Sequence, residues 1–177
     1  MKLKIQAHKA CYLAILLTAI LLSACQPQPQ KAKHLSQKNE IDTTLLAQLQ
    51  FNTRMVEISD KACMDWVLSD SLTYAMHEMG FWFTKTIKKD GDILTSGQEV
   101  NIHMLISELN GELISDTKHS YKIGSSELPN AIRRTIGTMV VGEQAKIVAP
   151  WYTAYGVEGT SIIKPYSNLI ILLTIEE

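Results

Sequence analysis

The sequence predicts an α+β fold: about five antiparallel strands wrapped around one short helix, preceded by a helical region. Three observations lead there. Beyond Gly80 the apolar residues fall into short runs punctuated by Gly, Asn and Asp, the pattern of strands and turns. One stretch of that half, residues 127–137, has helical spacing instead. The chain then closes on Asn168-Leu169-Ile170-Ile171-Leu172-Leu173-Thr174-Ile175, a nearly continuous apolar run typical of a central strand.

Residues 1–24 read as a secretory signal. Lys2, Lys4 and Lys9 form a basic start, and Tyr12 to Leu22 a short apolar core. That core is too short for a bilayer interior of ~30 Å, which needs about 20 apolar residues. It ends in Leu22-Ser23-Ala24-Cys25, which resembles the lipobox of bacterial lipoproteins and implies a lipidated Cys25. More than one acyl chain on that residue anchors better than the single chain that holds only marginally. Gln26 carries no signal for retention in the inner membrane. The expected location is therefore the cell envelope, as an outer-membrane lipoprotein with its domain in the periplasm.

Cysteine usage agrees. Cys11 leaves with the signal and Cys25 carries lipid, so Cys63 is the only possible thiol and no internal disulfide can form. Its neighbours suggest a buried helix thiol. His34, His77, His103 and His119 lack ligand spacing, and neither a metal nor a cofactor is expected. Removing residues 1–24 takes three lysines and no acid, leaving 14 basic against 18 acidic residues, a net charge of −4. A nucleic-acid partner, which demands a basic surface, is thereby disfavoured.

Residues 25–41 make a tether. Gln, Pro, Lys and Ser dominate it, and it cannot bury a core. Its fifteen residues from Gln26 to Glu40, extended, reach roughly 50 Å at about 3.3–3.6 Å per residue. Residues 42–79 are the helical region. Asp42 is placed to cap a helix bearing Leu45, Leu46 and Leu49, with Ile41 as the apolar residue before the cap. A second helix is expected from Ser59 or Asp60, turning Ala62, Cys63, Trp66 and Val67 inward. Packing on the main domain or on each other is the favoured role, with dimerisation or client capture as alternatives.

Residues 80–177 form the main domain, about 100 residues and enough for one core. Phe81 to Ile87 suits a strand, followed by a turn at Lys89-Asp90-Gly91-Asp92. Val100 to Ile106 alternates in part, and Asn110-Gly111 turns the chain into a strand over 112–115. His119 to Gly124 reads as a further short strand. Pro129 suits the first turn of the helix over 127–137, where no N–H donor is needed. Ile132 and Ile136 share one helix face, and Arg133-Arg134 a solvated one. Ala145 to Ala149 is the strand before Pro150.

The order of features from Met139 to Gly156 carries the most information: a helix end, the Gly142-Glu143 turn, a buried strand, then Trp151-Tyr152-Thr153-Ala154-Tyr155-Gly156. It resembles the core of the FKBP-type peptidyl-prolyl cis-trans isomerases. Gly97-Gln98, the Gly111 turn, the Gly124 to Met139 spacing, Ile162-Ile163-Lys164-Pro165 and the closing strand extend the resemblance over residues 80–177. With its lipobox and helical preamble, the chain resembles the gliding-motility-associated lipoprotein isomerases of that family.

The resemblance implies an isomerase acting on proline-containing polypeptide clients. Tyr155 matches the loop tyrosine whose hydroxyl donates to the substrate carbonyl. The implied pocket comprises Met104, Ile114, Asp116, Tyr121, Leu128, Ile132, Ile162, Ile163 and Ile171. Several positions depart from the family pattern. Ile132 replaces the tryptophan of its best-known members, Met104 a tyrosine and Ile114 a phenylalanine. Ser115 stands where an aspartate is usual, and a one-residue shift would bring Asp116 there. Pro129 removes a backbone N–H that normally binds a carbonyl. These changes point to reduced activity, and to the alternative of a weak or inactive FKBP-like lipoprotein that holds partners as a chaperone.

Overall fold

The computed structural model describes residues 43–176. The signal, Cys25, the tether and the Asp42 cap lie outside the described residues.

Helix α1 runs unbroken through Thr43–Ser69. The two helices expected here are one, because neither Gly nor Pro interrupts residues 43–69 and Ser59, read as a start, is buried mid-helix. Strand β1 (Ala75–Met76) is a two-residue edge that the sequence did not announce. Then follow β2 (Trp82–Ile87), β3 (Glu99–Glu108), β4 (Leu113–Lys122), helix α2 (Asn130–Ile136), β5 (Gln144–Ala149) and β6 (Leu169–Ile175). The two short segments expected around residues 112–124 are one strand. Its middle, Asp116 to Ser120, is exposed and polar, so it lacked the apolar alternation by which strands are recognised. Pro129 is the N-cap of α2 rather than a first-turn residue.

The strands form a six-stranded sheet in the order β1-β2-β5-β6-β3-β4, with every neighbouring pair antiparallel. Side chains alternate between its faces. One face carries Ile102, Met104 and Ile106 of β3, Ala145 and Ile147 of β5, and Ile171, Leu173 and Ile175 of β6, all buried. Ala131, Ile132 and Ile136 of α2 complete this main core. Helix α1 covers the opposite face, where Cys63, Trp82 and Val148 are buried together and Trp66, Val67 and Tyr74 pack around them. Lys146 on that face lies 4.8 Å from the Trp66 ring centre and pairs with Asp70 at 2.7 Å. The sheet is thus sandwiched between an N-terminal helix and the elements that build the site.

Candidate active site

The site is assembled where β5 ends. Pro150 stops the strand, and the chain enters a loop over 150–168 before β6 begins. Short internal hydrogen bonds shape this loop. The Thr160 N–H donates to the Ile163 carbonyl at 2.8 Å, and the Thr160 hydroxyl accepts from the Ile163 N–H at 3.0 Å. Gly159 has φ 65°, and a Cβ there would sit 2.2 Å from the Ile163 carbonyl oxygen. Only glycine fits that approach.

Tyr155 projects from this loop, half-buried against the main core. Its hydroxyl makes no hydrogen bond with the described residues, and burial pushes its pKa above the ordinary 10. It is a neutral donor with a vacant bond to give. The same cluster gathers Met104, Tyr121, Ile132, Ile163 and Ile171 as buried members, with Ile114 and Leu128 half-buried on it. Eight of the predicted residues therefore belong to the main core cluster or pack on it. Ile132 and Ile171 are wholly buried, whereas Tyr155, Ile114 and Leu128 are half-buried and keep surface that a ligand can touch. Tyr121 is held from behind, its hydroxyl donating to the Ser125 carbonyl at 2.7 Å.

Two predicted residues lie apart. Ile162 is 59% exposed at the loop tip, outside the packed cluster. Asp116 turns to the other face of the sheet, opposite Leu105, where its Oδ1 lies 2.7 Å from His103 Nε2. A register shift between β3 and β4 follows the Ile106–Ser115 pair, so Ser115 keeps the core-side position and no shift carries Asp116 inward. Arg133 also departs from its expected solvated face. It is half-buried and donates to Asn130, while Arg134 is exposed.

The sequence reading missed Phe83 and Ala154, which pack on the same cluster, and the role of Glu143. The buried Glu143 carboxylate accepts from Lys85 Nζ at 2.7 Å and from the Val140 N–H at 3.0 Å. Burial alone would raise its pKa, but Lys85 and the Val140 and Lys89 N–H groups outweigh that and hold it below the usual range. Gly142-Glu143 is thus a pin between β2 and the turn leading into β5. An acid directly before an apolar strand was the available signal.

A cavity of 390 Å³ lies among Tyr74, Phe83, Lys85 and Thr138, and shares Phe83 with the core cluster. It contains none of the predicted residues. Among the described residues, no group of three His, Cys, Asp or Glu side chains is placed to hold a metal ion.

An antiparallel sheet closing on a short helix, with Tyr155 packed against its apolar core, is the arrangement that the sequence resemblance implied. Residues 91–175 match the family of FKBP-type peptidyl-prolyl cis-trans isomerases. Two solved structures share the fold. AtFKBP13 is 19% identical, with a TM-score of 0.54, over 59% of this chain and 97% of its own. A peptidyl-prolyl cis-trans isomerase from Pseudomonas syringae pv. tomato is 16% identical, with a TM-score of 0.56, over 68% of this chain and 93% of its own. No curated protein matches the chain in sequence.

Proposed function

We propose that this protein is a lipid-anchored prolyl isomerase that assists the folding of envelope or secreted proteins, with the Tyr155 cluster as its proline site. The observation that carries this reading is the unengaged hydroxyl of Tyr155, a residue half-buried against the apolar core. Rotating an Xaa–Pro bond takes tens to hundreds of seconds unaided. The barrier of about 18–20 kcal/mol for rotating a peptide bond reflects the resonance lost on twisting. A twisted amide has a smaller dipole than a planar one, so dry apolar walls bind it in preference to the ground state. Leu128 and Ile114 are suited to contact the proline ring, backed by Ile132, and Tyr155 to donate to the substrate carbonyl. No nucleophile or acid–base group is needed.

The anchoring part of the proposal rests on Lys2 to Cys25 alone, and the likeness to gliding-motility-associated isomerases on that segment together with the helical region. A Cys25→Ser variant should lose acyl labelling and move from the membrane to the soluble fraction. Catalysis is tested with Xaa–Pro peptides. The chain should accelerate their isomerisation, and Tyr155→Phe should lower kcat/KM about fivefold, the worth of one hydrogen bond near 1 kcal/mol, with Tm unchanged.

A second reading, a partner-holding module with little catalysis, is favoured by two observations. Asp116 faces away from the cluster, and Pro129 offers no N–H at the start of α2. Suppression of client aggregation without peptide isomerisation would establish it.

A further inference from the structure

We infer that helix α1 is a positioning element of the isomerase site, acting on the loop that carries Tyr155. The contacts supporting this are side-chain specific and all fall on one short part of the helix. Tyr166 donates to Asn52 Oδ1 at 3.3 Å, and its ring meets Phe51 edge-on with centres 5.8 Å apart. The Trp151 indole N–H points at the Met55 carbonyl at 3.5 Å, and the Tyr152 hydroxyl donates to Asp60. Trp151 packs edge-on against both other aromatics, with ring centres 5.5 Å from Tyr152 and 4.9 Å from Tyr166.

These three aromatics bracket the working part of the loop. Trp151 and Tyr152 enter it three residues or more before Tyr155, and Tyr166 leaves it after Ile162 and Ile163. The Tyr166 N–H donates to the Gly156 carbonyl at 3.2 Å, joining the two ends beside Tyr155. Tyr166 also has φ 58°, a left-handed conformation costly for a bulky residue, so its contacts must hold it there. Phe51 is 53% exposed, which is far more than a core residue would be. Its place on Tyr166 orders the loop more than it buries surface.

The inference rests on the isomerase reading, and its test separates the two. The full chain in detergent would be compared with Phe51→Ala/Asn52→Ala, Asp60→Ala, and the conservative Asp60→Asn, whose side-chain oxygen still accepts from Tyr152. Two quantities are read: amide hydrogen exchange in residues 155–163 against that of β5 and β6, and kcat and KM on Xaa–Pro peptides. The expected result is faster exchange in the loop alone and kcat/KM lowered at least about threefold in the first two variants. Asp60→Asn should stay near the parent in both. Unchanged loop exchange in the first two variants overturns the inference, as does a loss shared equally by the sheet or one that Asp60→Asn fails to restore. Loosened loops with unchanged kcat/KM, while Tyr155→Phe is impaired, also overturn it. If the parent chain shows no isomerisation, the isomerase reading fails, and the role of α1 in the site fails with it.

Discussion

Gly159 and Cys63 show how single residues set limits on this protein. At Gly159 a side chain would collide with backbone, not with a movable group, and its φ already disfavours L residues. Gly159→Ala should therefore lower stability by more than about 1 kcal/mol and depress activity, read as Tm and kcat/KM on the same preparation. The Cys63 thiol is wholly buried, and burial, aided by the Asp60 carboxylate, pushes its pKa up to about 12. A thiol so rarely ionised is inert. It should resist a thiol reagent in the native protein and react at once in denaturant. The loop position of Tyr155 was legible from its place between Ala154 and Gly156 after a buried strand. The outward turn of Asp116 was not, because a spacing cannot say where a strand pair takes up its irregularity; the neighbouring β3 strand decides that.

Among the elements, those with strong apolar periods were recognised and those depending on tertiary partners were not. β5 and β6 lie mid-sheet and carry their burial in their composition. β4 is an edge strand with a solvated middle, kept extended by pairing with β3 along its whole length. The single length of α1 was hidden because its inward stripe, Asn52, Met55, Val56, Ser59 and Cys63, mixes polar with apolar residues. Helix α2 has only seven residues, too few to persist alone. Its stability comes from packing, and Ile132 is its fully buried centre. Ile132→Ala should cost about 2–5 kcal/mol in denaturant unfolding, the range for deleting a core aliphatic side chain.

The molecule as a whole is tied across its layers by two buried or half-buried carboxylates. Glu143 joins the start of β5 to β2, and Asp70 joins the end of α1 to Lys146 on β5. The hydrogen bonds from Lys146 and then Tyr74 lower the Asp70 pKa, as Lys85 and backbone donors lower that of Glu143. A carboxylate with a depressed folded pKa adds stability above its unfolded value and loses it as pH falls through the folded one. The ordinary values are 4.5 for Glu143 and 3.8 for Asp70, so stability should be level near neutrality and fall below about pH 4.5. In Glu143→Gln and Asp70→Asn the fall in Tm between pH 5 and pH 3, chosen as roughly spanning that range, should be shallower. The helix that meets the Tyr155 loop has a further consequence, in time rather than space. Its bonds to Tyr152, Trp151 and Tyr166 join residues 92, 96 and 114 positions apart. A chain emerging from its N-terminus presents α1 early and these aromatics near the end, and such distant pairings close slowly. The loop bearing Tyr155 can thus be fastened only once Tyr166 has emerged, which makes the proposed proline site among the last parts of the protein to be completed.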